Sequence, residues 1–260
     1  MKLKIVIDKL NGFAPNDYQE SFDNSGLQIG DVNSEIVKVL VCLDVTEKVI
    51  NEAISIGANL IVSHHPLIFH GIKHITEKTY IERVIRTAIK NDIAIYSMHT
   101  NLDKIQNGVS CRLAECIGLK NITILSTDIH NNNIGLGAIG ELDEEYDEIE
   151  ILNKVKQLLH INTIKHSPLL NKKVKKIALC GGSGAEFIQD AIDKGADIYF
   201  TADIKYHEYF MPENQIVIAD IGHYESEIIT KDIIYEQLIE IFPKFAVAKS
   251  QTECNPVCFV

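Results

Sequence analysis

The stretch Lys38–Pro66, KVLVCLDVTEKVINEAISIGANLIVSHHP, contains two short apolar runs separated by an amphipathic segment. The β-branched residues over 37–43 and 60–62 predict buried strands. The apolar spacing over 46–56 predicts a helix between them, with Thr46 as its N-cap. Two strands joined by one helix form the unit from which parallel sheets are built. This stretch therefore predicts an α/β fold.

The rhythm of strands and helices continues after this stretch and then recurs in the second half of the chain. A helix is predicted over 80–90 and a strand over 93–97. Residues 38–60 align without gaps on residues 176–198, and lysine, cysteine, isoleucine, alanine and glycine recur identically. A shared preference for strands and helices would not give so many identities at one constant offset. We infer an internal repeat, with a largely parallel, helix-covered sheet.

The repeat predicts two similar α/β lobes related by a pseudo-two-fold. We place the boundary near residue 125, to within about ten residues, so that the lobes are 1–125 and 126–260. The run Asn131–Asn133 and the acidic stretch after Gly140 suggest this position. The C-terminal helix is expected to pack back on the first lobe.

The composition is that of an ordinary globular protein, with 46% hydrophobic and 23% charged residues among 260. No apolar run approaches the roughly 18 residues that a membrane helix needs. Met1–Leu10 is predicted to be an amphipathic helix rather than a secretion signal. The net charge of −11 argues against a nucleic-acid partner bound through its phosphates. The stretch 141–148 carries much of this charge and is predicted to be a solvated turn before a helix.

The six cysteines form no C-x-x-C pair, and Cys42 and Cys180 lie inside apolar strand patterns. Without a secretion signal, we interpret them as reduced thiols of a cytoplasmic protein. No serine nucleophile elbow is present, and no cysteine has an obvious histidine partner in the sequence. The candidate chemistry therefore lies with histidines and carboxylates.

Two adjacent histidines, His64 and His65, follow the strand predicted over 60–62. Successive side chains on a strand point to opposite faces, so neighbouring imidazoles rarely bind one ion together. Where the strand ends, each can serve a different ion of a close pair, and Pro66 holds His65 in an extended conformation. The alternative is one exposed histidine and one hydrogen-bonded core histidine, and the motif alone does not decide between them.

Further candidate ligands follow other predicted strands, where the sites of open α/β sheets are found. His99 and Asp103 follow one strand. His223 and Glu227 follow another and open a helix, where a spacing of four residues puts both on one face. The alternatives are a helix cap for Asp103 and a surface hydrogen-bonded pair for His223 and Glu227. We expect His99 to support a ligand rather than to bind metal itself, with a core role as its alternative.

A glycine-rich segment, Gly181–Gly184, lies between a predicted strand and a predicted helix. Its amides could hold a phosphate at the start of the helix. It lacks the spacing and the lysine of a P-loop and the full dinucleotide fingerprint. A tight turn from strand to helix is the equally acceptable alternative.

The three imidazoles of His64, His65 and His223 and the two carboxylates of Asp103 and Glu227 are one ligand too few for two separate sites of three protein ligands each. They suffice if one carboxylate bridges two ions about 3.5–4 Å apart and water completes both shells. Nitrogen and oxygen ligands suit Zn, Fe or Mn, of which we expect Zn first. The sequence thus predicts two divalent ions per chain.

The chain resembles the NIF-three-like family, whose members are commonly labelled GTP cyclohydrolase 1 type 2 homologs. The matching motifs run nearly end to end: Glu20–Asp31, Ser63–Phe69, His99–Asp103, Gly181–Gly184, Asp203–His207, Gly222-His223 with Glu227, and Asn255-Pro256. The chain departs from the family pattern at Phe22, where tryptophan is common, and at Ala202, where glycine is common. The family's frequent insert between the lobes is absent.

The resemblance implies a NIF-three-like fold with a dinuclear metal site between the two lobes. His64 and Asp103 would bind one ion, His65 and His223 would bind the other, and Glu227 would bridge them. The resemblance also implies a ring-shaped homohexamer built from dimers.

The family label implies ring opening of GTP, in which water attacks the purine C8 and formate is released. Two metals could supply the attacking water near neutral pH, and His99 or His207 could move the proton. Gly181–Gly184 or Lys205 could hold the triphosphate, although the net charge of −11 disfavours so anionic a ligand. The alternatives are hydrolysis of another nucleotide-like or phosphorylated small molecule, and a metal-binding or metal-trafficking role without turnover.

Overall fold

The computed structural model describes residues 1–260 as two compact units, each built on its own β-sheet. The first unit comprises 1–102 and 230–254, and the second comprises 103–229 and 255–260. None of the helices is long and apolar enough to cross a membrane.

The helices and strands follow one another as α1 (Leu3–Phe13), β1 (Gly26–Ile29), β2 (Lys38–Cys42), α2 (Glu47–Ile56), β3 (Leu60–Ser63), α3 (Tyr80–Lys90), β4 (Ala94–Ser97), α4 (Thr100–Asp103), α5 (Val109–Ile117), β5 (Lys120–Thr127), β6 (Gly135–Asp147), α6 (Glu148–Leu158), β7 (Lys165–His166), β8 (Lys173–Ser183), α7 (Ile188–Asp193), β9 (Ile198–Ala202), β10 (Val217–Asp220), α8 (His223–Glu227), α9 (Thr230–Ile241) and β11 (Ala246–Lys249). Short 3-10 helices lie at Asn16–Tyr18, Ala185–Phe187 and Tyr206–Phe210.

The first unit contains a five-stranded sheet in the order β1-β4-β3-β2-β11. All neighbouring pairs are parallel except β1, which pairs antiparallel with β4 at one edge. Strands β3 and β4 are fully buried and β2 is buried except at Lys38, because helices cover a sheet of this kind, whereas the edge strand β11 is partly exposed. The mainly parallel, helix-covered sheet that the sequence predicts is therefore present in this unit.

The crossover helix α2 begins and ends as its sequence dictates. The Thr46 hydroxyl accepts a hydrogen bond from the Val49 amide at 3.3 Å, which caps the first turn. Gly57 ends the helix in the left-handed conformation, with φ of 69°. Val49, Ile50 and Ala53 face the core of the unit. The N-cap predicted at Thr46 is confirmed.

The second unit contains a six-stranded sheet in the order β5-β6-β8-β9-β10-β7. Here only β8, β9 and β10 are parallel, and the other neighbouring pairs are antiparallel. Tyr199 and Phe200, on successive positions of β9, are fully buried and belong to separate core clusters of the unit. The sheet of the second unit is thus mixed rather than mainly parallel.

The acidic stretch 141–148 adjoins the antiparallel part of this sheet. It is not a turn, because β6 continues through it to Asp147 and pairs antiparallel with β8. Leu142 is buried and Tyr146 packs on the core, while Asp143, Glu144 and Glu145 are exposed. A charged segment can form a strand when its few apolar side chains pack inward and its carboxylates remain in water.

The internal repeat extends to the pairing register of the strands. Val39 pairs with Leu60 in the first unit, and Ile177 pairs with Ile198 in the second, at the same offset of 138 (39 to 177, 60 to 198). The amide that follows the next strand bonds back in the same way in both: Met98 to the Ser63 carbonyl, and Ile221 to the Thr201 carbonyl, each at 2.9 Å. Both units therefore share one strand–helix–strand scaffold.

The second unit begins at Asp103, earlier than the sequence boundary near residue 125. Helix α5 explains this difference, since it packs on β5, β6 and β8 of the second sheet. Near the C-terminus, α9 and β11 belong to the first unit, where β11 pairs in parallel with β2.

Candidate metal centre

Three histidines of the first unit gather where its strands end. His64 and His65 follow β3, and His99 follows β4, its neighbour in the sheet. One ligand nitrogen from each lies within 4.8 Å of the others. The ring centroids are 4.9 Å apart for His64 and His65, 5.2 Å for His64 and His99, and 5.5 Å for His65 and His99. This group, the histidine triad, could hold a metal ion.

Each imidazole of the histidine triad is oriented by an oxygen atom at Nδ1. His64 Nδ1 lies 2.7 Å from the carbonyl oxygen of Met98, which can only accept, so Nδ1 carries the proton. His65 Nδ1 lies 2.8 Å from Asp44 Oδ1, and His99 Nδ1 lies 2.8 Å from Asp23 Oδ1. Oxygen acceptors at one ring nitrogen are typical of metal-binding histidines, because they fix the tautomer and leave Nε2 as the ligand.

The Asp23 carboxylate that supports His99 is completely buried. It accepts hydrogen bonds from the Asn24 amide at 2.6 Å, the Ser25 hydroxyl at 3.0 Å and the Thr100 amide at 3.1 Å. Burial by itself raises the pKa of this carboxyl, but the bonds from His99, Thr100 and Asn24 lower the pKa well below its usual range. Asp23 is therefore a fixed negative charge behind the His99 ring.

Asp44, whose carboxylate supports His65, is held at its backbone by Glu253, a residue far along the chain. Glu253 Oε1 accepts hydrogen bonds from the amides of Leu43 and Asp44, at 2.7 Å and 2.6 Å. The other oxygen of the buried Glu253 carboxylate lies 2.8 Å from Lys231 Nζ. The backbone at Asp44, and through it the His65 ring, is thus fixed by a buried ion pair.

A second carboxylate, Glu52, anchors the segment that carries Glu253. It accepts hydrogen bonds from the Ser250 hydroxyl at 2.7 Å, the Gln251 amide at 2.9 Å and the Thr252 hydroxyl at 2.7 Å. Glu52 anchors the same segment but does not contact Asp44. A change at Glu52 therefore tests only the anchoring of the segment, whereas a change at Glu253 also tests the orientation of His65.

The second unit carries its own ligand group at the end of β10. His223 and Glu227 lie on one face of α8, and His223 Nε2 is 2.9 Å from Glu227 Oε2. His223 Nδ1 is 2.7 Å from Asp203 Oδ2, so this ring is also oriented by an oxygen atom. This separation is that of a directly hydrogen-bonded pair, in which Glu227 is buried and His223 is partly exposed. The two atoms are candidate ligands for one divalent cation, which would take the place of that bond.

Gly182 makes the space that the Glu227 carboxylate occupies. A Cβ atom at this position would overlap Glu227 Oε1 and would lie 3.4 Å from His223 Cε1. Gly182 has a φ of 64°, and the pairing of β8 with β9 shifts register between Leu179 and Ser183, as at a β-bulge. The cradle around the nearly buried Glu227 side chain thus depends on the absence of a side chain at residue 182.

Asp103 and Glu227 create a negative field around Cys180. Burial raises the pKa of the Cys180 thiol, and the charges of Asp103 and Glu227 raise it further. Glu186 raises the pKa of the thiol in the same direction, so this negative field is not particular to Asp103 and Glu227. All six cysteines are free, and Cys180 itself remains a neutral thiol.

The structure brings some of the site residues predicted from the sequence together and places others elsewhere. It brings His64, His65 and His99 together in one unit and His223 and Glu227 together in the other. His207 instead lies on the exposed 3-10 helix, with its ring against those of neighbouring aromatic residues, and its part in proton transfer stays a prediction. The ligand role of Asp103 also stays a prediction.

Four acidic residues of these groups were missed by reasoning from the residues: Asp23, Asp44, Asp203 and Glu253. Asp23 and Asp203 lie inside the family motifs, and this position could have indicated that they belong to the site. Asp44 directly follows the strand β2, so the rule that sites collect at strand ends could have found it. Glu253 carried no local signal, because the amides of Leu43 and Asp44 that it binds are more than 200 residues away in sequence.

The glycine-rich segment does not form a phosphate cradle. The amide of Gly181 donates to the Ser110 hydroxyl at 3.2 Å, and the amide of Gly182 donates to the Ser226 hydroxyl at 3.0 Å. These donors are already used inside the protein. The segment is instead the end of β8, where Gly182 lies against the Glu227 side chain. The alternative, a connection from strand to helix, is therefore what the structure shows.

Two α/β units on one repeated scaffold, each with oriented histidines at its strand ends, define a class of candidate metal-binding protein. The family model described as Duf34/NIF3 (NGG1p interacting factor 3) matches residues 1–256. The chain belongs to this family, which confirms the resemblance found in the sequence.

Individual relatives cover nearly the whole chain. A Clostridium perfringens protein named GTP cyclohydrolase 1 type 2 homolog is 40% identical over 230 residues, which are 87% of each chain. A Lactococcus lactis protein of the same name is 32% identical over 98% of each chain. The crystal structure of a Staphylococcus aureus hypothetical protein is similar with a TM-score of 0.93 and 31% identity, over 100% of this chain and 99% of that one.

Replacing Gly182 by alanine should weaken metal binding by displacing the Glu227 carboxylate. The matched control is Gly195→Ala, because Gly195 has a similar φ of 69° but no atom within 4 Å of an added Cβ. Both changes cost about 1 kcal/mol of backbone strain. Zinc titration should show a loss of affinity of about tenfold or more only in Gly182→Ala. Equal affinity in the two variants would remove Glu227 from the ligand set.

Glu253→Gln should weaken metal binding at His65, because one amide group cannot accept from two backbone amides and also pair with Lys231. We expect an affinity for zinc about tenfold lower, as for other changes behind a ligand. Glu52→Gln is the control, since it loosens residues 250–252 and leaves Asp44 untouched. If zinc titration gives the same loss in both variants, or in neither, Glu253 anchors the C-terminal segment and has no particular role at His65.

Proposed function

We propose that this protein binds two divalent metal ions and uses them to hydrolyse a nucleotide-like small molecule. The observation that carries the proposal is the orientation of four imidazoles, those of His64, His65, His99 and His223, by oxygen atoms at Nδ1. His166 also has an oxygen atom at Nδ1, the carbonyl of Ser167 at 2.7 Å, but it lies outside these groups. The support for a metal site is therefore the grouping of such oriented rings, three in the first unit and one beside Glu227, as metal ligands regularly show.

The division of ligands that we propose follows the family resemblance. His64 and Asp103 hold one ion, His65 and His223 hold the other, and Glu227 bridges the two. The residues of each unit support their share: His64 and His65 of the histidine triad supply imidazole nitrogens, and the second unit supplies the His223–Glu227 pair. Zinc is our first choice, followed by iron or manganese, because the ligands are nitrogen and oxygen atoms.

In the proposed reaction, His99 is the group that moves a proton. Asp23 holds the proton on Nδ1, so that Nε2 can accept one from an attacking water molecule. The resulting imidazolium would be stabilised by the buried Asp23 carboxylate, whose pKa is held low. The bound metal ions would supply the remaining chemistry, a water molecule acidic enough to react near neutral pH.

GTP is the first substrate to test, because relatives carry the name GTP cyclohydrolase 1 type 2 homolog. The net charge of −11 disfavours a triphosphate, so another nucleotide-like or phosphorylated metabolite is the second candidate. Metal binding or trafficking without turnover is the third. A ring-shaped homohexamer in the cytoplasm is part of the same proposal and rests on the family resemblance and the six free thiols.

Elemental analysis of protein purified without chelator should give about two metal ions per chain. Glu227→Ala should lose both ions, since two close cations would lack the carboxylate that neutralises them, whereas Asp103→Ala should lose mainly one. Glu225→Ala, on the same helix, is the control and should keep both. One ion at saturation in the wild type, or two unchanged sites in Glu227→Ala, would disprove the shared-carboxylate arrangement.

Formate release from GTP should depend on both the metal and its ligands. We expect release by the metal-loaded wild type and a decrease to the background rate in His65→Ala and in chelated protein. Equal rates in all three samples would reject cyclohydrolase activity. A screen of phosphorylated metabolites with the metal-loaded protein would then separate the second candidate function from the third.

A further inference from the structure

Two phenylalanines of the first unit form an exposed aromatic surface, the Phe22–Phe69 platform. Phe22 is 64% exposed and Phe69 is 37% exposed, although exposed rings of this size lose the free energy of burial. Their centroids are 6.5 Å apart, with ring planes tilted by 57°. The rings therefore pack against each other at their edges and leave aromatic faces open to solvent.

The platform is continuous with the histidine triad. The Phe69 ring meets the His99 ring edge-on at a centroid distance of 6.0 Å. His99 in turn lies 5.2 Å from His64 and 5.5 Å from His65. A ligand resting on the platform would thus lie beside the group that we propose to move a proton.

The two loops that carry the platform are fastened together. Asn24 Nδ2 donates to the Ile68 carbonyl at 2.6 Å, and the Ile68 amide donates to Gln28 Oε1 at 3.2 Å. Asp23, next to Phe22, is fixed by its bonds to His99 and Thr100. The backbone on both sides is ordered, so the platform is prepared before a ligand arrives, which reduces the entropy lost on binding.

We propose that the Phe22–Phe69 platform stacks a planar heteroaromatic ring of the small molecule that reacts at the histidine triad. The proposal rests on the proposed function and specifies the part of the substrate that is recognised. Neither ring of the platform carries a charge or a hydrogen-bonding group, so the part of a ligand that it can recognise is an uncharged aromatic face. Aromatic faces bind such rings without regard to their substituents.

The chain contains no tryptophan, so Phe22→Trp introduces a single fluorescent reporter that keeps an aromatic face on the platform. The matched control is Phe210→Trp, because Phe210 is also 64% exposed but lies on the 3-10 helix of the second unit. The probes are guanosine 5′-monophosphate, which has the ring, and ribose 5-phosphate, which lacks it. We expect saturable quenching of Phe22→Trp by the nucleotide alone, and only weak, linear quenching of Phe210→Trp.

A second substitution tests the other half of the platform. In the Phe22→Trp background, Phe69→Ala should weaken nucleotide binding by about tenfold, within the range for removal of a stacking side chain. If Phe22→Trp does not fold, as judged by circular dichroism, Phe69→Trp serves as the reporter and Phe22→Ala as the test. Saturable quenching of Phe210→Trp, or equal quenching by the two probes, would overturn the proposal.

Metal-depleted and metal-loaded protein should both show ring-dependent quenching, whatever the metal count proves to be. This result would support the platform even if the dinuclear proposal fails, so the two proposals fail separately. A blue-shifted Phe22→Trp emission that depends on protein concentration and ignores the nucleotide would assign the two rings to a contact between copies of the chain. That outcome would also overturn the stacking proposal.

Discussion

The candidate site depends on hydrogen bonds between imidazole Nδ1 atoms and oxygen acceptors. Met98, Asp44, Asp23 and Asp203 each hold one histidine ring at 2.7 or 2.8 Å. A neutral imidazole binds metal through the nitrogen that lacks a proton, so an acceptor at Nδ1 determines that Nε2 is the ligand. The strand ends bring the residues close, but these bonds decide which atom each ring presents.

The acceptors come from different parts of the chain, and this explains how the fold supports the site. Asp44 follows β2, whose neighbour β3 leads into His64 and His65. The C-terminal segment returns beside β2 as β11, which brings Glu253 to the amides of Leu43 and Asp44. Three adjacent strands of the first sheet thus lead into the candidate ligand His65, its acceptor Asp44 and the anchor Glu253.

The internal repeat shows how one scaffold came to carry two different ligand groups. At the constant offset, Asp44 corresponds to Gly182 and His65 corresponds to Asp203. In the first unit the carboxylate follows one strand and supports a histidine after the next. In the second unit the glycine makes room for Glu227, and the carboxylate of Asp203 supports His223 on a later helix. The two units therefore share the strand–helix–strand backbone, but the side chains at equivalent positions have different roles.

The sequence by itself determined the α/β class, the repeat, the parallel strand pairs and the candidate histidines. These are local properties, since apolar periodicity fixes strands and helices, and parallel strands place their carboxyl ends at one edge. The tertiary structure decided the mixed second sheet, the space at Gly182 and the role of Glu253. Each of these depends on contacts between residues distant in sequence: β6 against β8, Gly182 against Glu227, and Glu253 against Asp44. Only the folded chain brings such partners together.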